Sequence, residues 1–286
     1  MKVMVTGARG QLGQDLTRKL AQAGHQVIAV DVQDFDLTDS AAVQSAVEAA
    51  EPNAIIHCAA YTAVDRAETE PETCCAVNAI GTLNLARAAV RADAKLLYIS
   101  TDYVFHGDGT EPYEVNDPVG PRSIYGLSKL QGEEAVRSLM TRCFIVRISW
   151  VFGAGGKNFI RTMLRLSEDH REVRVVNDQV GSPTYTPDLS DFLCQLIVTD
   201  KYGIYHATNE GTCTWAELAE RTFALAGRDC RVIPVPTSEY PTLARRPLNS
   251  RLSKACLDRA GFSRLPPWED ALARFLQELR DRGELN

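Results

Sequence analysis

No run of ~18 consecutive apolar residues occurs in this chain of 286, so no part of it reads as a membrane-spanning helix. Basic blocks are missing as well. Lys and Arg number 31 against 37 Asp and Glu, a formal net charge of -6, which argues against nucleic acid as the main partner. The eight cysteines contain no C-x-x-C pair and no Cys/His spacing of the metal-binding kind. Their even number would suit disulfides. At this length, and with 45% hydrophobic residues, reduced core thiols in a cytoplasmic protein are the expectation instead. The adjacent Cys74 and Cys75 read as ordinary helix residues. Internal repeats and low-complexity segments are absent, and the Val3-Met4-Val5 run is too short for a signal-peptide core, so it reads as a first strand.

What is present is an alternation of short apolar runs with amphipathic ones. Residues 2–6 form a strand, followed by a helix with Leu12, Leu16 and Leu20 on one face and Gly24 as its stop. Strands follow at 26–30, 54–58, 95–100 and 143–148, with helices at about 43–50, at 71–92 (Pro71 leading) and from 125 to about 140. Such βαβ order predicts a parallel sheet covered by helices on both faces, joined by right-handed crossovers. After Trp150 the rhythm breaks. A loop at 153–156, a helix at 158–166, a short strand at 174–176, helices at 188–198 and 214–226 and a proline-rich stretch at 234–247 describe a smaller, less regular lobe. The fold class is therefore α/β, a Rossmann-type doubly wound parallel sheet with a smaller C-terminal lobe. Residues 1–150 form the dinucleotide-binding domain and 151–286 mainly the substrate-binding lobe, with segments near 185–210 returning to the first.

Gly7, Gly10 and Gly13 lie between the first strand and the first helix in G-x-x-G-x-x-G spacing. Glycine there lets the chain turn tightly and lets a pyrophosphate approach the free N–H groups of the helix N-terminus. An ordinary tight turn is the alternative, but the flanking strand and helix favour a dinucleotide. Asp31 ends the second strand 18 residues past Gly13, where a carboxylate can accept hydrogen bonds from adenosine ribose hydroxyls and favour NADH. Arg9, inside the turn, suits a phosphate and argues for NADPH, so the preference stays open at this point.

The run Tyr125-Gly126-Leu127-Ser128-Lys129 is preceded 24 residues upstream by Thr101. Tyr125 and Lys129 are four apart at the start of a helix and face the same way. A free phenol titrates near ~10, and a neighbouring ammonium would lower that value. Thr101 follows the fourth strand, at the sheet edge where open α/β folds bind ligands, and its hydroxyl can donate to a carbonyl oxygen. Hydride from a nicotinamide, a proton from Tyr125, polarisation by Thr101 and positioning by Lys129 complete a carbonyl reduction. A chance surface Tyr-Lys pair would explain the motif alone, but not its register with Thr101 and the glycine turn.

These residues resemble the extended short-chain dehydrogenase/reductase superfamily and, within it, the dTDP-4-dehydrorhamnose reductase family. The narrower resemblance rests on the runs at 59–68, 100–105, 147–153, 177–184 and 240–251, which cover the chain from end to end. It implies cofactor contacts by Gly10, Gln11 and Leu12 to the phosphates, by Asp31, Asp36 and Leu37 to the adenosine half, and by Ala60, Tyr61 and Thr62 beyond the third strand. It implies substrate contacts by Thr101, Asp102 and Trp150, with Arg245 and Arg246 on a diphosphate, and catalysis by Tyr125 and Lys129. The expected cofactor is NADPH or NADH and the expected partner a dTDP-sugar. Some relatives are described as holding Mg²⁺ through glutamates at a dimer contact. Here those positions fall at Asp15 and near Asp188, and no metal ligand is assigned. A homodimer stays open.

Two other readings share the motifs. A nucleotide-sugar 4-epimerase or dehydratase uses the same Thr, Tyr and Lys, but dehydratases carry an acidic pair after the Thr, whereas Thr101 is followed by Asp102 and Tyr103. A non-catalytic regulatory subunit of methionine adenosyltransferase also resembles this family; an eroded triad would favour it, and the triad is intact.

Overall fold

The computed structural model describes residues 1–285. Its first half is β1 (Lys2–Thr6), α1 (Gln11–Gln22), β2 (Gln26–Val30), α2 (Ser40–Ala50), β3 (Ala54–His57), α3 (Val64–Ala67), α4 (Pro71–Cys75), α5 (Thr82–Arg91), β4 (Lys95–Thr101), α6 (Ile124–Leu139) and β5 (Cys143–Ile148). The second half is β6 (Val151–Phe152), α7 (Phe159–Asp169), β7 (Glu172–Val176), β8 (Val180–Gly181), β9 (Thr184–Tyr185), α8 (Thr186–Ile197), β10 (Gly203–His206), β11 (Cys213–Thr214), α9 (Trp215–Ala226), β12 (Arg231–Val235), β13 (Asn249–Ser250), α10 (Ala255–Ala260) and α11 (Trp268–Asp281).

Six strands form the main sheet in the order β10-β5-β4-β3-β1-β2, every pair parallel. Strands this apolar on both faces must be covered twice. Val3 and Val5 point into one core, with Leu16 and Leu20 of α1 and Leu189 and Leu193 of α8. Met4 points into the other, with Val43, Leu85 and Val136 of α2, α5 and α6. Hence α8 and β10, which follow the lobe's first elements in the chain, build part of the main sheet and its cover. The lobe adds a third core around Phe152, Leu272 and Phe275 and a fourth around Val173 and Phe223, while Cys256 and Leu257 of α10 pack into the first.

Three elements depart from expectation. The helix predicted over 71–92 is interrupted by a π-helical turn at Ala76–Gly81, and π turns inside helices gather at functional sites. The proline-rich stretch begins inside β12, where Pro234 pairs in a two-stranded sheet with β7; a strand with a free edge tolerates the missing N–H. The long amphipathic α11, which buries Leu272, Phe275, Leu276 and Leu279, went unread in the sequence. All eight cysteines are free thiols.

Candidate active site

Because β1 is flanked by β2 on one side and β3 on the other, the chain turns opposite ways out of β1 and β3, and a crevice opens beyond their carboxyl ends. A cleft of about 800 Å³ lies there, walled on its far side by the lobe. The glycine turn forms its floor. Gly7 has φ +66°, and a Cβ on it would meet Ala59 N at 2.6 Å; a Cβ on Gly13 would meet Gly7 O at 2.1 Å. Those two glycines are demanded by the protein's own packing. Gly10 is different: its nearest neighbour would be 3.2 Å away, so the missing side chain leaves room on the cleft side. Gly10 also caps α1 without a side-chain acceptor, so the first amides of the helix face the cleft uncapped. This cradle fits a dinucleotide pyrophosphate.

Asp31 accepts from the Arg9 amide at 2.8 Å and from the Val32 amide at 2.8 Å, which ties the end of β2 to the glycine turn. Gln11 accepts from the Gly153 amide and from Asn158 Nδ2, at 3.1 and 3.0 Å, joining the turn to the lobe. Leu12, Asp36, Leu37, Ala60 and Thr62 also line the cleft. Tyr61 does not: its hydroxyl donates to Glu70 at 2.6 Å, and its backbone N–H and C=O are both held by Asn78.

Ser123 caps α6 by accepting from the Gly126 amide at 3.1 Å, which sets Tyr125 in the first turn. Gly126 lets that helix press on the turn after β4 and Gly132 on β4 itself, since a Cβ would lie 2.3 Å from Tyr103 O and 2.3 Å from Tyr98 Oη respectively. Thr101, Asp102, Tyr125 and Lys129 all reach the cleft. The Thr101 hydroxyl donates to Asp102 Oδ1 at 3.0 Å and accepts from the Tyr103 amide. Asp102 is 3% exposed, and burial pushes its carboxyl up to about 6.

The expected lowering of the Tyr125 phenol by Lys129 is not what this arrangement contains. Burial first, then the Asp102 charge, push the phenol above its ordinary value, while the Thr101 hydroxyl works the other way. The Lys129 ammonium is turned to Ile99 O at 2.7 Å and lies 4.0 Å from the Tyr98 ring centre. Burial depresses it to about 7, opposed by Glu133.

Trp150 lines the cleft with φ +50°, a left-handed backbone outside any helix cap or turn glycine. Its indole stacks on Trp215 at 3.6 Å. Arg246 also lines the cleft, braced by Asp65 at 2.6 Å and by Tyr103 Oη at 3.3 Å. Arg245 is not brought there; its side chain is 64% exposed and its guanidinium lies 3.9 Å from Asp108. Asp15 accepts from Thr186 and pairs with Arg18, and Asp188 is held bidentately by Arg274, so both carboxylates have internal partners.

Several contributors carry no sequence motif of their own. Asn78, in the π turn, donates to Ser128 Oγ at 2.9 Å and ties the α4–α5 segment to α6. Glu133 takes two bonds from Arg147, at 2.9 and 2.7 Å, and one from Ser100 at 2.5 Å, joining α6 to β5 and β4 beneath Thr101. Glu133 is i+4 from Lys129, a spacing that could have flagged it. Trp215 and Phe159 come from the lobe and had no such signal, while Ser250 lay unmarked inside the 240–251 run.

Residues 1–281 match the RmlD substrate binding domain model. The chain belongs to this family. A dTDP-4-dehydrorhamnose reductase of Streptomyces griseus is 44% identical, the alignment covering 98% of this chain and 94% of the relative. The spore coat polysaccharide biosynthesis protein SpsK of Bacillus subtilis is 43% identical over 97% of both chains. Among solved structures, dTDP-4-dehydrorhamnose reductase from Bacillus anthracis in complex with NADP superposes with a TM-score of 0.95 at 44% identity, over 97% of this chain and 99% of that one. The matched span takes in the glycine turn, the Tyr125–Lys129 run and the lobe alike.

Proposed function

We propose that this protein reduces the C4 keto group of dTDP-4-dehydro-L-rhamnose to give dTDP-L-rhamnose, with NADPH or NADH as reductant. The observation that carries it is the convergence of Thr101, Tyr125 and Lys129 with the uncapped glycine turn in one cleft, in a chain whose relatives are reductases over their full length. The uncapped α1 amides and Gly10 hold the pyrophosphate, and Asp31 with Leu37 the adenosine end. Bound there, the nicotinamide supplies a hydride.

The protein's own residues do the rest. Tyr125 gives its proton to the C4 oxygen, general-acid help worth about 10²–10⁴ in rate. Thr101 shares the charge that develops on that oxygen. Lys129, buried and donating one hydrogen to Ile99 O, has further N–H donors that ribose hydroxyls would take. Trp150 forms a flat wall for the sugar, and Arg246, pre-oriented by Asp65, suits the diphosphate. Residues 1–150 serve the dinucleotide and 151–286 mainly the sugar nucleotide, with 185–210 returning to the first. The same reading puts the enzyme in the cytoplasm, supported by its eight free thiols.

The test runs the reaction backwards: purified protein with dTDP-L-rhamnose and NADP⁺ or NAD⁺, followed by absorbance of the reduced nicotinamide. The signal is expected to grow with wild type and to fall at least 10²-fold with Tyr125→Phe, while cofactor affinity stays unchanged. A Tyr125→Phe enzyme with most of its turnover would remove Tyr125 as the acid. No turnover by wild type, with the cofactor still bound, would move the assignment to another deoxysugar or to a binding module.

A further inference from the structure

Lys129 is buried at the cleft, and among the described residues no carboxylate pairs with its side chain. Glu133, one helical turn on, is turned instead to Arg147 and Ser100. The other titratable groups nearby are Cys58 after β3, Cys74 on α4 and His57 on β3. Burial pushes both thiols up, and His57 is a buried ring held between Thr6 and Thr82, so none of the three brings a negative charge. What the Lys129 nitrogen does touch is Ile99 O, at 2.7 Å, and the face of the Tyr98 ring, whose centre is 4.0 Å away.

Tyr98, in the middle of β4, is 0% exposed and does not line the cleft. Its ring is fixed on several sides. The His57 ring lies 5.5 Å from it, centre to centre, and its hydroxyl fits against α6 where Gly132 has no side chain. That hydroxyl donates to Lys129 O at 3.4 Å. One side chain thus holds residue 129 twice, the main chain through the hydroxyl and the side-chain nitrogen through the ring.

Burial works against the charged form of a lysine. The negative face of an aromatic ring works for it, and more strongly where water is excluded. The form matters to a ligand. An ammonium has three hydrogens; Ile99 O takes one, which leaves two for ribose hydroxyls, whereas a neutral amine would keep only one. The geometry points to Tyr98 as a positioning residue whose ring face keeps Lys129 an ammonium and holds it at the cleft for the dinucleotide. This rests on the cofactor part of the reductase reading above and deepens it.

The experiment is NADPH titration by fluorescence on the full-length chain, with Tyr98 replaced by phenylalanine, by trifluorophenylalanine and by leucine. Tyr98→Phe keeps the ring face and is expected to stay within about fivefold of wild type, the loss of one long hydrogen bond. Trifluorophenylalanine has nearly the same shape but an electron-poor face, and is expected to bind NADPH about tenfold more weakly than Tyr98→Phe; Tyr98→Leu is expected to lose at least as much. Should Tyr98→Leu fail to fold, the two ring variants decide alone. In a Lys129→Met background, exchanging phenylalanine for trifluorophenylalanine at position 98 is expected to change the affinity less than about twofold, since no cation is left to feel the ring. Equal affinities for the two ring variants, or an undiminished difference without Lys129, would overturn the role and leave Tyr98 as packing. The titration needs no sugar substrate, so a wild type that binds NADPH but reduces no dTDP-4-dehydro-L-rhamnose would remove the reductase reading without deciding against Tyr98. A wild type that binds no dinucleotide would sink both.

Discussion

Asp102→Asn carries a stability consequence that needs no substrate. The carboxyl is 3% exposed and its folded-state value is raised from the ordinary 3.8 to about 6, mainly by burial. At about 1.4 kcal/mol per pH unit, that rise is worth about 3 kcal/mol. The sign follows from which state binds protons more tightly. Below pH ~4 the carboxyl is neutral in both folded and unfolded chains and contributes nothing adverse. Between pH ~4 and ~6 the unfolded chain ionises first, and wild-type stability declines; above ~6 the full penalty stands. Asparagine has nearly the same shape, keeps an oxygen for the Thr101 hydroxyl and can donate its amide to Ser250, so the packing is preserved while the buried charge is removed.

The quantity to measure is a double difference: unfolding free energy of variant minus wild type at pH 8, compared with the same difference at pH 4. Any constant effect of the substitution cancels. An advantage of about 3 kcal/mol to the variant is expected to develop between the two pH values, equivalent to a relative melting shift of roughly 6 °C in a chain of this size. Urea unfolding followed by tryptophan fluorescence reads it directly. A difference that is flat with pH, or that favours wild type as pH rises, would refute the account, because it would mean the site stabilises the carboxylate rather than tolerating it.

The two glycines of the turn separate fold from function. Gly10→Ala is expected to fold and to lose at least tenfold in NADPH affinity by fluorescence titration, whereas Gly13→Ala, whose Cβ would sit 2.1 Å from Gly7 O, is expected to be recovered poorly or unfold early. Glu133→Gln leaves the Arg147 charge buried without its partner and is expected to cost about 3–5 kcal/mol in urea unfolding, since Arg147 and Glu133 side chains are only 3% and 1% exposed. Asp31→Ala is expected to weaken NADH more than NADPH in direct binding; equal losses would mean that Asp31 serves only the Arg9 and Val32 amides.

The residues read most readily from the sequence are those whose chemistry and backbone demand coincide in one short run. Gly7, Gly10 and Gly13 mark a turn and a phosphate cradle together, and Tyr125 and Lys129 share a helix face that 3.6-residue periodicity alone predicts. The βαβ rhythm likewise makes the sheet legible, because each strand is apolar on both faces. Tyr61 and Arg245 show the limit of that logic: each lies in a run that resembles a site, but the chain turns the Tyr61 hydroxyl to Glu70 and leaves Arg245 in solvent. The electrostatics were harder still. A Lys four residues from a Tyr promises a lowered phenol, yet burial outweighs it and the ammonium finds a backbone carbonyl nearer to hand.

What the sequence could not display is the set of contacts that make the motif residues work, since these join parts of the chain far apart. Ser250 reaches Asp102 across a separation of 148 residues, Gln11 reaches Asn158 across 147, and Asp65 orients Arg246 across 181. No local pattern encodes such pairs; only the return of the lobe over the sheet edge creates them. Each joins a residue of the first 150 to one beyond it, so the two parts of the chain are tied across the cleft by the same groups that line it or brace its lining. A ligand lying in that cleft would touch both parts at once. Through Ser250 the lobe also holds the Asp102 carboxyl beside Thr101, so a side chain from beyond residue 150 helps to shape the wall on which Thr101 stands.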